Sequence, residues 1–580
     1  MEKQIYEFMA TQTEEKIVER KKCPNCSQEF AITDKDMEFY DKISPVFNGT
    51  KYKIPAPTLC PDCRQQSRLI WRNERKLYKR TSNLTGKTIV SMYSPEKPYK
   101  VYEQDFWRGD KWDALDYSRK FDFSRPFFEQ FNELVLDVPD FSLCTIGNEN
   151  SDYTNHTWWL KDCYMVFQSA YLENTYYSGD MTKCKSVMDC IGVSNSENSY
   201  GCIDCDNGYN LFFSNKSNNC RDSYFLIWCE NCSNCFGCVS LSGKQYYIYN
   251  KEYTKNEYLK EIENILKNNS MEEIKNNFLK NIATDYPLKN INIVWCENCI
   301  GNNLLNSKDA YYSFELISCN NTRYSQFVQF NTDGMDHTVG INNQRTYYVS
   351  VAWWNVYNII FGVNCMWDSS DLMYCKCCVS NCKNLFGCAG LKNKQYCILN
   401  KQYTKEEYEK LVPQIIEHMQ KTWERWEFFP NYICPFGYNE TIAMDYFPLT
   451  RQEALEKWYK WQDKEYPINV PDWIELVRAQ DLSDNINNVG DDILKKALIC
   501  EVSWKPFRVI KQELDFYRKY NLPMVKKHFE ERFKDKMKIR DPRKLFLRTC
   551  DNCGKQVISV YPQDSEFKVY CEECYNKEIY

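Results

Sequence analysis

Between Asp162 and Gln245 the chain repeats every 12 residues without an insertion, a period that few folds tolerate. Cut at that step, the segment reads DCYMVFQSAYLE, NTYYSGDMTKCK, SVMDCIGVSNSE, NSYGCIDCDNGY, NLFFSNKSNNCR, DSYFLIWCENCS and NCFGCVSLSGKQ. The first column is Asp162, Asn174, Ser186, Asn198, Asn210, Asp222 and Asn234; the third is Tyr164, Tyr176, Met188, Tyr200, Phe212, Tyr224 and Phe236. A unit this short cannot bury an apolar face alone, so successive units must stack. Asn and Asp suit the turns of such a stack because they tolerate the left-handed conformation, and aromatics suit its pleated surfaces. Twelve residues span roughly 40 Å of extended chain. A coil of that perimeter has little room inside for Tyr or Phe, so the expectation is two units per coil of a parallel β-helix.

The pattern recurs. Asp309, Asn321, Asp333 and Arg345 keep the 12-residue step, and the phase then slips by three residues before Asn384. NCFGCVSLSGKQYYIYNKEYTKNEY from Asn234 matches NLFGCAGLKNKQYCILNKQYTKEEY from Asn384 at an offset of 150. The middle of the protein is therefore an internal duplication. Each copy runs into a helix opened by a capping box, Thr254 with Glu257 and Thr404 with Glu407. Ser270 with Glu273 and Thr450 with Glu453 open further helices, the last expected to continue to about Trp473.

The two ends carry the metal signal. Cys23 and Cys26 are separated by 33 residues from Cys60 and Cys63, and Cys550 and Cys553 by 17 residues from Cys571 and Cys574. Two CxxC pairs place four thiolates tetrahedrally around Zn²⁺ and close a structural site. After Cys63 comes RQQSRLIWRNERKLYKR, in which Arg64, Arg68, Arg72 and Arg75 fall at helical spacing with only Glu74 opposing them. A basic helix leaving a treble-clef knuckle commonly contacts phosphate.

The ends are also copies of one another. TSNLTGKTIVSMYSPEKPYKVYEQDFW from Thr81 matches TCDNCGKQVISVYPQDSEFKVYCEECY from Thr549 at an offset of 468 without a gap. Ser82, Thr85, Glu103 and Phe106 then stand where the later copy has its four cysteines, so the early copy has the shape of the finger without its ligands. Arg64, Arg68, Arg72, Arg75 and Arg80 correspond to Arg532, Lys536, Arg540, Arg543 and Arg548, and Phe39 and Tyr40 to Phe516 and Tyr517. The first zinc site maps onto Cys500, Ser503, His528 and Glu531. Each end has kept one metal site and the basic row between the two.

These signals give a mainly β chain with helical insertions: a duplicated 12-residue-repeat parallel β-solenoid flanked by two treble-clef, zinc-ribbon-like end modules. The expected parts are a leader at 1–22, an N-terminal zinc module at 23–107 with its second half metal-free, and an aromatic cap at 108–145 that seals the open end of the solenoid. Solenoid blocks follow at 146–250 and 291–400, separated by a helical insertion at 251–290. A helical segment occupies 401–480, a polar linker ends at Asp492, and the C-terminal zinc module runs over 493–580. With no run of 18 apolar residues and no apolar core in the first 22, no membrane span or secretion signal is expected. The 31 cysteines then read as zinc thiolates and buried free thiols in a cytoplasmic protein. Those at Cys229, Cys232, Cys235 and Cys238 evoke a further cluster, but the duplicate replaces two of them with Val379 and Leu385.

The opening CPNC and LCPDCRQQSRLIWRNERKLYKR and the closing CDNCGK and VYCEECYNKEIY resemble uncharacterised zinc-ribbon proteins of small-genome candidate-phyla bacteria. The resemblance implies zinc binding and no particular activity.

The net charge of −5 gives no global bias toward nucleic acid, so any such role must be local. The functional expectation is a zinc-binding, non-enzymatic protein with two structural Zn²⁺ ions, held by Cys23, Cys26, Cys60 and Cys63 and by Cys550, Cys553, Cys571 and Cys574. Arg64, Arg68, Arg72, Arg75, Arg540, Arg543 and Arg548 would contact nucleic acid, RNA rather than a specific DNA. The alternatives are a structural or protein-interaction scaffold and, by analogy with other β-helices, a carbohydrate-active enzyme. None of the four histidines, His156, His337, His418 and His528, lies in a recognisable catalytic motif, and no Gly-rich phosphate loop is present.

Overall fold

The computed structural model describes residues 3–579, so the first two residues of the expected leader and the last of the C-terminal module lie outside it. It is mainly β, and the repeats form two β-solenoids, running from Thr145 to Glu252 and from Ile293 to Gln402. Pairing is parallel at a step of 12, as in Tyr164 with Tyr176, Leu211 with Ser223 and Thr322 with Gly334. One unit therefore makes one coil, which corrects the expectation of two.

The reason is a period of three inside the period of 12. Asp162, Met165, Gln168, Tyr171 and Asn174 all have φ near +50° to +60°, and this corner recurs every third residue through the block. Four such corners close a square coil. The residue after each corner points to the axis: Cys163, Val166, Ser169 and Leu172 are all buried. The aromatic column comes one residue later and lies outside the coil, so the narrow interior never has to hold it.

The same geometry accounts for the cysteines. Corner residues donate to the coil before, Asp162 N–H to Glu149 O at 3.1 Å, and the residue two places on donates to the coil after, Tyr164 N–H to Thr175 O at 3.1 Å. The N–H of the inward residue has no place in either ladder. Where Ser or Cys stands 12 residues earlier, its hydroxyl or sulfur accepts it, as Met181 N–H reaches Ser169 Oγ at 3.1 Å and Cys202 N–H reaches Cys190 Sγ at 3.2 Å. Ser169 Oγ in turn donates to Phe167 O at 2.8 Å. A buried amide left unpaired costs about 1–3 kcal/mol, so Ser and Cys recur inside for a backbone reason. Cys229, Cys232, Cys235 and Cys238 are the four inward residues of one coil. Each thiol donates to a backbone carbonyl at 3.3–3.6 Å, and the four do not form a metal-sized group.

The phase slip in the second block has a local cause. Consecutive left-handed pairs at Trp354–Asn355, Trp367–Asp368 and Ser380–Asn381 each insert one residue at a corner. Pairing there steps by 13, as in Tyr357 with Ser370 and Ser370 with Lys383, and returns to 12 at Lys383 with Gln395. Both solenoids end alike: Asn250 bonds back to Val239 and Asn400 to Ala389, each through an N–H···Oδ1 and an Nδ2–H···O contact.

In chain order, the leader holds helix α1 (Lys3–Gln12) and strand Ile17–Lys22. The N-terminal module adds α2 (Asp34–Ile43), α3 (Pro61–Leu69), the ribbon Tyr78–Thr81 with Thr88–Ser91, and α4 (Gln104–Arg108); α5 (Phe127–Asp137) follows. After the first solenoid come α6 (Lys255–Asn268) and α7 (Met271–Asn281), and after the second α8 (Lys405–Lys421), α9 (Ala443–Tyr446) and α10 (Arg451–Glu456). The C-terminal module contains α11 (Lys511–Lys519), α12 (Phe529–Ile539), the ribbon Phe546–Thr549 with Gln556–Ser559, and α13 (Glu572–Ile579). All four capping boxes form.

Three expectations are corrected. The basic row is not one helix: α3 stops at Leu69, and Arg72 and Arg75 lie in the turn beyond it, held by Asn73 Nδ2–H on Lys76 O and Met92 O at 2.8 Å. Helix α10 ends at Glu456, and the segment to Trp473 is irregular. The aromatic cap closes the last coils of the second solenoid, where Phe127 meets Tyr374 and Phe386, and Arg119 N–H donates to Leu399 O at 2.9 Å.

Candidate metal centres

Each end module is built from knuckles, tight turns stabilised by two backbone hydrogen bonds. In the first, Cys23 N–H donates to Gln28 O at 2.9 Å and Ser27 N–H to Cys23 O at 2.8 Å. The pair recurs at Ser82 (with Lys87 O, 2.9 Å, and from Gly86, 3.1 Å), Cys500 (Lys505 O, 3.0 Å; Trp504, 3.1 Å) and Cys550 (Lys555 O, 2.8 Å; Gly554, 2.9 Å). All four turns place the donor of the second bond in the left-handed region: Ser27, Gly86, Trp504 and Gly554. The backbone of a zinc knuckle thus persists in four places, although only two retain four cysteines.

In those two, the second pair of ligands comes from the start of a helix. Cys60 caps α3 and Cys63 lies in its first turn; Cys571 precedes α13 and Cys574 lies in its first turn. Among the described residues, Cys23, Cys26, Cys60 and Cys63 form one group whose sulfurs lie within 4.8 Å of one another, and Cys550, Cys553, Cys571 and Cys574 form the other. The helix N-terminus favours thiolate charge. A tetrahedral ion with Zn–S bonds of about 2.3 Å holds its sulfurs about 3.8 Å apart. Cys26 Sγ lies 3.6 Å from Cys60 Sγ, and Cys553 Sγ 3.9 Å from Cys571 Sγ, so both donor sets fit such an ion. The first group is nearly closed to solvent, with only Cys26 half-buried; in the second, Cys553 is exposed.

The two degenerate sites are filled differently. In the N-terminal ribbon the Glu103 carboxylate accepts from Ser82 Oγ at 2.5 Å and from Thr85 Oγ1, bracing the knuckle where a metal would sit. Desolvation opposes its charge, but these hydrogen bonds prevail and hold the Glu103 carboxyl below its ordinary range. In the C-terminal module, His528 takes the capping position of Cys60, and its Nδ1 accepts from Glu530 N–H at 3.2 Å. Cys500 Sγ accepts from Ser503 N–H at 3.4 Å. Cys500, His528 and Glu531 are not among the metal-sized groups of the described residues.

The arginines proposed for phosphate contact are engaged inside the protein. Arg64, Arg68, Arg72, Arg540, Arg543 and Arg548 are buried, and the Arg75 side chain is nearly so. Arg64 Nε and Arg68 Nη1 donate to the two oxygens of Asp336 at 2.7 and 2.9 Å, and Arg68 also bonds Thr338 and Gln326. Arg72 bonds Glu74 at 2.6 Å and reaches Gln168, and Arg75 bonds Asp445 at 2.8 Å. Arg540 contacts Asp180 at 2.6 Å, Asp204 at 3.1 Å and Glu315 at 3.1 Å. Arg543 Nε donates to Glu315 at 2.9 Å, and Arg548 bonds Asp551 at 2.9 Å and Pro562 O at 3.1 Å. Arg64, Arg68, Arg540 and Arg543 thus meet acidic corners of the solenoids, whereas Arg72, Arg75 and Arg548 pair with Glu74, Asp445 and Asp551 outside them.

Those contacts are themselves duplicated. Arg532 and Lys536, the counterparts of Arg64 and Arg68, close on Asp189 at 3.3 and 2.8 Å. Arg64 lies over Tyr324 at 5.0 Å and Arg532 over Tyr177 at 4.7 Å; Tyr40 meets Tyr347 at 5.6 Å and Tyr517 meets Tyr200 at 5.9 Å. Asp189 and Asp336, Tyr177 and Tyr324, Tyr200 and Tyr347, and Gln168 and Glu315 are all 147 residues apart, the offset of the solenoids before the three inserted residues. Through these pairs the N-terminal module grips the second solenoid and the C-terminal module the first, while Arg72 on Gln168 and Arg540 and Arg543 on Glu315 reach the other solenoid. The modules also meet: Lys76 pairs with Glu530 at 2.6 Å, and Arg75 lies 3.8 Å over the Phe533 ring.

The receptors Asp189, Asp336 and Glu315 were not among the residues expected to act, although the 147-residue offset that relates Asp189 to Asp336, and Gln168 to Glu315, is visible in the sequence. Of the histidines, His156 and His337 are buried in the core. Desolvation, then Arg68, pushes His337 down to about 3, and desolvation with Arg72 holds His156 well below its ordinary value. Among the described residues, no helix is long and apolar enough to cross a membrane. Comparison with protein-family models and with curated proteins finds no match.

Proposed function

We propose that the protein is a zinc-braced, non-enzymatic scaffold that presents its surface to a protein partner. Two Zn²⁺ ions, one in each four-cysteine group, would fix the end modules, with the thiolates supplied by Cys23, Cys26, Cys60 and Cys63 and by Cys550, Cys553, Cys571 and Cys574. The observation that carries the scaffold reading is the internal engagement of both basic rows, which makes them clamps between modules and solenoids. What the surface offers instead is tryptophan. Trp295, Trp423, Trp458 and Trp473 are more than 80% exposed and Trp504 is 66% exposed. Four of them sit at left-handed positions (all but Trp473), so a fixed backbone projects them outward. Trp is enriched among the few residues that carry most of the binding energy of protein interfaces.

RNA binding stays as the second reading, through base stacking on these rings, since aromatic platforms serve single strands as well. One experiment separates the two. The zinc-loaded protein and a Trp423→Ser/Trp458→Ser/Trp473→Ser variant are used as baits, with and without nuclease, alongside binding to generic RNA across a salt series. The scaffold reading expects a protein partner retained by the parent, lost from the variant and indifferent to nuclease. Nuclease-sensitive capture with steep salt dependence of RNA binding would replace it with the RNA reading.

A further inference from the structure

Outside the two four-cysteine groups the chain has 23 cysteines, and all are buried except Cys296 and Cys299. Those two are the inward residues that follow the neighbouring corners Trp295 and Asn298 in the first coil of the second solenoid, where the inward column has no earlier coil to cover it. The surrounding residues are open: Trp295 is 83% exposed and Val294 37%. Cys296 Sγ accepts from Ser307 N–H at 3.3 Å, and the Cys299 thiol donates to Glu297 O at 3.2 Å. Both are therefore aimed into the mouth of the solenoid and share its rim.

We propose that Cys296 and Cys299 form a thiol–disulfide exchange site that low-molecular-weight disulfides oxidise to an intramolecular disulfide. The Ser307 N–H gives a thiolate at Cys296 Sγ a hydrogen-bond donor, while burial, and after it the neighbouring Cys296 sulfur, pushes the Cys299 thiol up to about 12; Cys296 is therefore assigned as the attacking sulfur and Cys299 as the resolving one. The Cys296 thiolate attacks one sulfur of oxidised glutathione and expels the first glutathione thiolate. Cys299, losing its proton to solvent, attacks the Cys296 sulfur of the mixed disulfide and expels the second. Two S–H bonds are lost from the protein, one S–S bond is gained, and the oxidant leaves as two molecules of glutathione. The interior thiols are shielded by their coils, and those of the end modules would be held by metal.

The test uses the full-length, zinc-loaded protein without denaturant. N-ethylmaleimide should label Cys296 and Cys299 at least about tenfold faster than any other cysteine outside the two groups, as accessible thiols do relative to buried ones. Prior treatment with oxidised glutathione should protect both, join their peptides without a glutathione adduct, and leave the zinc content unchanged; dithiothreitol should reverse it. Cys299→Ser, a residue that the solenoid interior accommodates elsewhere, should trap a single glutathione on Cys296. Protection of neither thiol, two separate adducts in the parent, or faster labelling of interior cysteines would overturn the proposal.

Discussion

The N-terminal and C-terminal modules share a backbone, a basic row and two knuckle positions, yet each has kept a different metal site. The N-terminal module retains Cys23, Cys26, Cys60 and Cys63 and fills its second site with Glu103 on Ser82 and Thr85. The C-terminal module retains the cysteines of its second site and replaces its first with a hydrogen-bonded Cys500, Ser503 and His528. What neither varies is the pair of cations on one solenoid carboxylate, Arg64 and Arg68 on Asp336 and Arg532 and Lys536 on Asp189. A knuckle can be held by a metal or by side-chain hydrogen bonds, whereas docking depends on a buried charge that nothing else neutralises.

That comparison breaks most visibly at its acidic receptors. Asp336→Asn strands Arg64 and Arg68, both buried, and should lower unfolding stability by about 3–5 kcal/mol in a denaturant titration. Asp189→Asn should cost less, because Lys536 keeps 12% of its side chain in solvent. Equal losses, or no loss at Asp336, would sever docking from these pairs.

The metal half of the comparison is sharpened by chelation. A chromophoric chelator should draw two equivalents of zinc per chain in two phases, the faster from the C-terminal group, where Cys553 is exposed. Cys60→Ser should remove the slow phase and Cys571→Ser the fast one. Converting Ser82, Thr85, Glu103 and Phe106 together to Cys should raise the zinc content to three, since the knuckle turn is already in place and Glu103 caps α4 as Cys60 caps α3. Glu103→Gln alone should cost about 1 kcal/mol. Because the Glu103 carboxyl is held below its ordinary value, its contribution is present at neutral pH and disappears as pH falls through that lowered value. The difference between parent and Glu103→Gln stabilities should narrow accordingly in acid.

The last effect belongs to the second solenoid alone, since His337 has Cys190 as its counterpart at the 147-residue offset. His337, with a value near 3, stays neutral in the folded chain while the unfolded chain takes up a proton near pH 6.5. Stability should therefore fall as pH drops from about 6.5 toward 3, by up to about 1.4 kcal/mol per pH unit from this group, and His337→Gln should flatten that part of the curve.

Much of this architecture was legible in the residues, because stacking and duplication leave periodic marks. The 12-residue step, the 150-residue offset, the eight end-module cysteines and the capping boxes at Thr254 and Thr404 all survive in the structure. Coil size is harder to see, because Tyr and Phe mark every twelfth residue whereas the Cys, Ser, Val and Leu that face the axis stand at every third. The basic rows hide their partners for another reason. Helical spacing says which residues share a face, but the partner of Arg68 lies 268 residues away, at Asp336, and only the docked solenoid puts it there.

The central claim is that these rows clamp the modules to the solenoids. Arg68→Gln tests it most directly, by denaturant unfolding and RNA binding of the same zinc-loaded preparation. The account expects a stability loss of several kcal/mol, roughly what breaking a buried charge pair costs, with no change in whatever RNA affinity the parent shows. A variant as stable as the parent that has lost RNA binding would contradict it and return Arg68 to the phosphate backbone.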